Sequence, residues 1–253
     1  MHVPDAERPA PGDVAVALSL LTRLPLNPGA ADFTRATAAV WAYPLAGVAV
    51  AAIAGMIGWA AQALGLPAPL AAGLSLAGLV VLTGAMHEDG LADSVDGLWG
   101  GWDRARRLEI MKDSHTGSYG VIALILSLGA RWMALSLLWQ QGGAVAALIA
   151  AAALSRGAMP ALMAALPHAR ADGLSRSVGR PTPRMAGLAA LLAVGIAGLS
   201  IGPVEAITAA LAAGLAAWAV ARIARARIGG QTGDILGACQ QCCEIAALWV
   251  LCA

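Results

Sequence analysis

Apolar runs close to 20 residues long, built mostly of Ala, Leu, Val and Gly, constrain this chain more than any other feature. About 20 such residues in a helix cross the ~30 Å hydrocarbon core of a bilayer. Within that core only helices and closed barrels satisfy their own backbone polar groups. Ala and Leu favour the helix, and the period-2 alternation of a barrel strand is absent. Seven segments qualify: Val40–Gln62, Ala68–Met86, Tyr119–Trp139, Ala144–Leu166, Met185–Ile201, Val204–Ala221 and Ile235–Cys252. Gly202-Pro203 reads as a tight turn between the fifth and sixth. A shorter run, Val14–Leu21, does not reach across. Only 12% of residues are charged, against about 25% in soluble domains, so a large soluble surface has no material. The expectation is an all-α, polytopic membrane helix bundle of about seven transmembrane helices. It forms one domain over residues 1–253.

Loop charge orients the bundle. Arg8, Arg23 and Arg35 precede the first span. Arg104, Arg106, Arg107 and Lys112 lie in the second connection, Arg170, Arg176, Arg180 and Arg184 in the fourth, and Arg222, Arg225 and Arg227 in the sixth. The intervening connections carry no Lys or Arg. By the positive-inside tendency the charged face is cytoplasmic, and a polar active site shared by those connections follows. The net charge of +1 gives no support to a nucleic-acid partner. The beginning, MHVPDAERPAPGD, places acids and prolines where a cleaved leader has a basic start and an apolar core, so none is expected.

The segment from His87 to Gly117 breaks the apolar pattern. It holds Glu88, Asp89, Asp93, Asp96, Asp103, Glu109 and Asp113 among four of the basic residues. If the second span continues as a helix, Asp89, Asp93 and Asp96 share one face. Three close carboxylates repel, and a divalent cation relieves that repulsion. Hard oxygen ligands suit Mg²⁺ or Mn²⁺, which commonly hold phosphate oxygens beside one or two carboxylates. The plainer reading is a solvated polar loop. Asp113 and Glu109 share a helical spacing, while His87 and His115 read as general bases, phosphate donors or structural residues.

Arg131 and Arg156 fall within expected spans, where charge needs a partner or water. Glu205 or Glu244 would serve Arg131. IGGQTGDILGA resembles a phosphate-approach loop opening a helix, with Asp234 at its start, but it lacks the lysine of a nucleotide P-loop. Cys239 and Cys242 have C-x-x-C spacing with no second pair, so the four cysteines read as small buried residues.

HEDGLADSVDG followed by RRLEIMKDSHTGSYG resembles the cobalamin synthase family, the adenosylcobinamide-GDP ribazoletransferases. The resemblance extends through LLTRLP at Leu20–Pro25, WAYPLAG at Trp41–Gly47, Ser155-Arg156, HARADGL at His168–Leu174, and GGQTGDILGA at Gly229–Ala238 with Glu244. Gln231 departs from the small or aliphatic residue expected there. The resemblance implies a Mg²⁺-dependent enzyme of the bacterial inner membrane. It would join adenosylcobinamide-GDP to a ribose hydroxyl of α-ribazole or its 5′-phosphate and release GMP. Contacts with a second copy or with other pathway enzymes are compatible with it.

Carried onto this chain, Asp89, Asp93 and Asp96 would hold metal and one of them or Asp113 would take the proton. His87, Lys112, Arg156, Arg170, Asp234 and Glu244 would bind substrate. Two alternatives stand beside this. One is a CDP-alcohol phosphotransferase of phospholipid synthesis, although this chain has DGLAD where those enzymes have DGxxAR. The other is a cation-coupled transporter, which would place carboxylates deep in the spans.

Overall fold

Ala-rich runs fold as long helices because Ala loses no side-chain entropy, and their small side chains let backbones approach one another closely. The computed structural model describes residues 8–26, 29 and 32–253. Residues 1–7, on which part of the leader expectation rests, lie outside them. Among the described residues no strand forms, and the α-helices are α1 (Gly12–Leu21), α2 (Tyr43–Ala63), α3 (Ala68–Thr83), α4 (Met86–Gly100), α5 (Arg104–Ile110), α6 (Ser118–Gln141), α7 (Ala144–Ala165), α8 (Leu174–Val178), α9 (Pro183–Ile201), α10 (Pro203–Ile228) and α11 (Gly233–Val250). A 3₁₀ stretch, Ala38–Ala42, runs straight into α2.

The all-α membrane architecture is as expected, but the seven spans are not equivalent. Five stretches are each long and apolar enough to cross: Ala38–Ala63, α6, α7, α9 and α10. The expected helical continuation of the second span fails. Gly84 and Ala85 both adopt left-handed backbone, φ +63° and +57°, and α4 leaves α3 at 85°. Together α3 and α4 are long and apolar enough for one further span, bent at this break, or for a re-entrant loop. The seventh helix, α11, forms over 18 residues. Asp234, Gln240, Gln241 and Glu244 make it too polar to count by composition, and most of it is buried against the other helices.

α7 is the centre, with Ala150–Ala153 wholly buried. It packs on α2, α9 and α11. Gly47 of α2 lies directly under the Ala152 carbonyl, and Gly157 sits against Ala193 of α9, which leaves no room for a Cβ at either. Gly202 (φ +94°) turns α9 into α10 with no other intervening residue.

At one end of the bundle the charged connections bind each other. Arg104 Nη2 donates to the Ala169 carbonyl at 2.9 Å and Arg107 Nη1 to that of Arg227 at 3.0 Å. Lys112 pairs with Asp172 at 2.5 Å. The Gln231 N–H donates to Pro167 (2.8 Å) and the Ala169 N–H to Gln231 (2.9 Å), joining the fourth connection to the sixth. Thr37 Oγ1, ahead of α2, donates to the Val178 carbonyl.

Candidate active site

Asp89, Asp93 and Asp96 all lie on α4, exposed, half-buried and buried respectively. The helix crosses α11 backbone to backbone. A Cβ on Gly237 would stand 3.1 Å from the Gly90 Cα, and one on Gly90 would stand 2.9 Å from the Asp234 carbonyl oxygen. This close crossing brings Asp234 into the field of Asp89 and Asp93. Thr232 Oγ1 caps α11 by accepting from the Ile235 N–H at 3.3 Å, which fixes Asp234 in the first turn. The Gly-rich loop therefore opens a helix, as its sequence suggests.

Arg170 closes the group. Its Nη2 meets Asp234 Oδ2 at 3.1 Å and its Nε faces Asp172 Oδ1 at 3.8 Å, while its buried Nη1 has no protein partner. Lys112 stands beyond Asp172, half-exposed. The hydrogen bond from Lys112 holds the Asp172 carboxyl below its usual range. Arg170 thus pairs with Asp234 and lies in the field of Asp93, while Lys112 joins the group only through Asp172.

Asp96 plays a different part. Its Oδ2 accepts the Gly117 N–H at 2.7 Å and its Oδ1 the Gly120 N–H at 2.9 Å, at the start of α6. A Cβ on Gly117 would come 2.5 Å from Asp96 Oδ1, and one on Gly120 would collide with Oδ2. The paired glycines of HTGSYG exist to admit this carboxylate. Asp113 lies in the hairpin before α6, where His115 Nδ1 sits 2.7 Å from its Oδ1. That hydrogen bond, with one from the His115 N–H, lowers the Asp113 carboxyl. Asp96 and Asp113 line one cavity of about 390 Å³ with His115 and Tyr119.

Among the described residues, no three His, Cys, Asp or Glu side chains stand close enough together to enclose a metal ion. The donor set still fits Mg²⁺, which keeps several waters and needs only one or two protein carboxylates beside substrate phosphate. Asp89 and Asp93, beside Asp234, would supply those hard oxygens, whereas each oxygen of Asp96 already accepts a backbone N–H.

His87, Arg156 and Glu244 sit inside the bundle rather than on the open face. Arg131 bridges Glu88 Oε1 (2.9 Å) and Glu244 Oε1 (3.2 Å), and Arg156 Nη1 faces Glu244 Oε2 at 3.5 Å. Glu205, one partner considered for Arg131, lies at the start of α10, exposed at the opposite end of that helix from Arg222, Arg225 and Arg227. Gln240 donates to Glu244 (2.6 Å) and Ser155 (3.2 Å). Gln241 donates to Glu88 (3.2 Å) and Gln240 (2.9 Å) and accepts from Ser127 (3.0 Å). Two cations and two carboxylates balance, with α4, α6, α7 and α11 tied through them. Sequence reading missed Glu88, Gln240 and Gln241, although polar residues spaced i, i+4 in an apolar helix were a visible signal.

Gln231 has a clear physical role. Its side chain accepts from Ser175 Oγ and meets His168 Nδ1 at 3.0 Å, holding three segments at the rim. Burial, then the nearby Arg176 and Arg180, keep the His168 imidazole below its usual range.

The cobalamin-5-phosphate synthase family model matches residues 13–252. The curated relatives include the adenosylcobinamide-GDP ribazoletransferases of Bradyrhizobium diazoefficiens (45% identical, 95% of this chain and 93% of that protein), Azorhizobium caulinodans (46%, 93% of each) and Mesorhizobium japonicum (44%, 94% and 92%). No solved structure matches the chain. The arrangement is that of a membrane-embedded transferase, and the chain belongs to the cobalamin-5-phosphate synthase family.

Proposed function

We propose that this chain is an adenosylcobinamide-GDP ribazoletransferase of the bacterial inner membrane, with its site on the cytoplasmic face. The observation that carries the reading is the gathering of Asp89 and Asp93 beside the Asp234–Arg170 ion pair at a glycine-to-glycine helix crossing, in a chain of this family. A ribose hydroxyl of α-ribazole, or of its 5′-phosphate, attacks the pyrophosphate phosphorus that carries the cobinamide. The new P–O bond forms as the bond to the GMP phosphate breaks, and GMP leaves. The product is adenosylcobalamin or its 5′-phosphate.

Bound Mg²⁺, held by Asp89 and Asp93, would neutralise pyrophosphate charge. Arg170 and Lys112 steady the phosphates and meet the charge that grows on the leaving group. In this reading Asp93, the less exposed of the two, takes the proton of the attacking hydroxyl. Asp96 positions α4 against α6, and the buried network holds α4 and α11 at their crossing. Asp113 sets the hairpin beside Asp96.

Purified protein supplied with adenosylcobinamide-GDP and α-ribazole should release GMP in a Mg²⁺-dependent manner. CDP-diacylglycerol with an alcohol should yield no phospholipid, and liposomes should show no cation uptake. Phospholipid product without GMP would replace the reading with the CDP-alcohol chemistry.

A further inference from the structure

We propose that a second polar cavity, between the segment before α2 and the start of α9, binds a phosphate group. The cavity is about 280 Å³ and is lined by Thr34, Arg35, Thr37, Arg180 and Thr182, with Ala38 and Met185 at its base. That is near the lower end for small-molecule sites, and it contains none of the acidic-site residues. Two arginines and three hydroxyl-bearing side chains in one hollow suit a compact anion.

Arg35, Arg180 and Thr182 have capacity to spare. Arg35 spends Nε and Nη2 on Asp13 and the Arg8 carbonyl, which leaves Nη1. Asp13 cancels its charge, so the net positive charge comes from Arg180, which uses one nitrogen on the Ala164 carbonyl at 2.7 Å. Thr182 Oγ1 accepts from the Met185 N–H at 3.4 Å, so its own O–H remains free to donate. Thr182 also caps α9, a helix of 19 residues, whose positive end opens into the cavity. Thr37 spends its donor on Val178 and gives shape rather than charge.

The cavity is coupled to the acidic site through one short element. α8 is fixed at its far end by Thr37 and at its near end by Ser175, which donates to Gln231, three residues before Asp234. A phosphate here belongs to a molecule long enough to reach along α8, or to a lipid headgroup at the membrane face. The first source is the 5′-phosphate of the acceptor. That assignment rests on the proposed reaction; the phosphate site itself does not.

The test uses the full chain in nanodiscs of phosphatidylcholine. Labelled inorganic phosphate should bind saturably, about tenfold more weakly to Arg180→Gln, and close to normally to Arg180→Lys, which keeps the charge. If the phosphate is the acceptor's, the KM ratio of α-ribazole 5′-phosphate to α-ribazole should rise by about tenfold in Arg180→Gln, with kcat moving little. If it is a headgroup, nanodiscs of phosphatidylglycerol should displace inorganic phosphate from the unsubstituted protein and leave that ratio unmoved.

Unchanged phosphate binding in Arg180→Gln overturns the site. So does phosphate binding that neither acceptor nor lipid affects, which would mark an adventitious ion only. Absence of GMP release from either acceptor would overturn the transferase reading, while phosphate binding alone would still decide the cavity.

Discussion

Asp96 illustrates how a single residue's role follows from its neighbours. Its spacing from Asp89 and Asp93 groups all three on one helical face, yet each of its oxygens accepts a backbone N–H, from Gly117 and Gly120. Gly120→Ala should therefore displace α4 and cut both thermal stability and turnover. Overpacking costs of about 1–3 kcal/mol set the scale, and melting in detergent would measure the first effect. No sequence period reveals this, because the partner N–H groups lie more than 20 residues away.

Asp13 is the counterpart at the N-terminal end. Burial alone would raise its carboxyl, but hydrogen bonds from Arg35, Trp41 and the Ala10 N–H outweigh it and hold it below its usual range. The unfolded chain then binds the extra proton, so the contribution is present above the ordinary carboxylate range and is lost as pH falls through it. Thermal midpoints should fall as pH drops below about 4, and Asp13→Asn should flatten that dependence.

At the scale of elements, the proposed site depends on the α4–α11 crossing. Gly237→Ala should push the helices apart and reduce turnover more than membrane integration, since its Cβ would meet Gly90 and His87. Gly129→Ala on α6, which meets nothing within 4 Å, is the control. It should be neutral or gain up to about 1 kcal/mol from helix propensity. Breaking the buried tie is harsher. Arg131→Met leaves Glu88 and Glu244 facing each other without their shared cation, a loss of about 3–5 kcal/mol readable as reduced folded yield in detergent.

Long apolar helices were legible from composition and length alone. The break at Gly84-Ala85 was not, because left-handed Ala is rare and only packing selects it. α11 was legible as a helix, but its role as the polar spine was hidden by its position among apolar runs. Gln240, Gln241 and Glu244 gain partners only when α4, α6 and α7 close around them.

For the whole molecule, charge distribution was the most informative sequence feature. Fourteen of the 16 Lys and Arg residues belong to alternate connections, and those connections do bind one another in the folded chain, through Arg104, Lys112, Arg170 and Gln231. Which carboxylates meet which cations required the fold. Arg170 was a candidate from its motif, but its pairing with Asp234 spans 64 residues. Asp172, which links Arg170 to Lys112, is not legible in the sequence because an exposed Asp in a loop carries no pattern.

The central claim is that the carboxylates of α4 perform the transfer while the rest of the bundle holds them in place. GMP release from adenosylcobinamide-GDP and α-ribazole, measured for Asp89→Asn and Asp93→Asn protein purified from membranes, tests it most directly. Both variants should integrate and melt like the parent, with turnover reduced at least about 100-fold, the scale of lost general base or charge stabilisation. Near-parental GMP release from both would contradict the account.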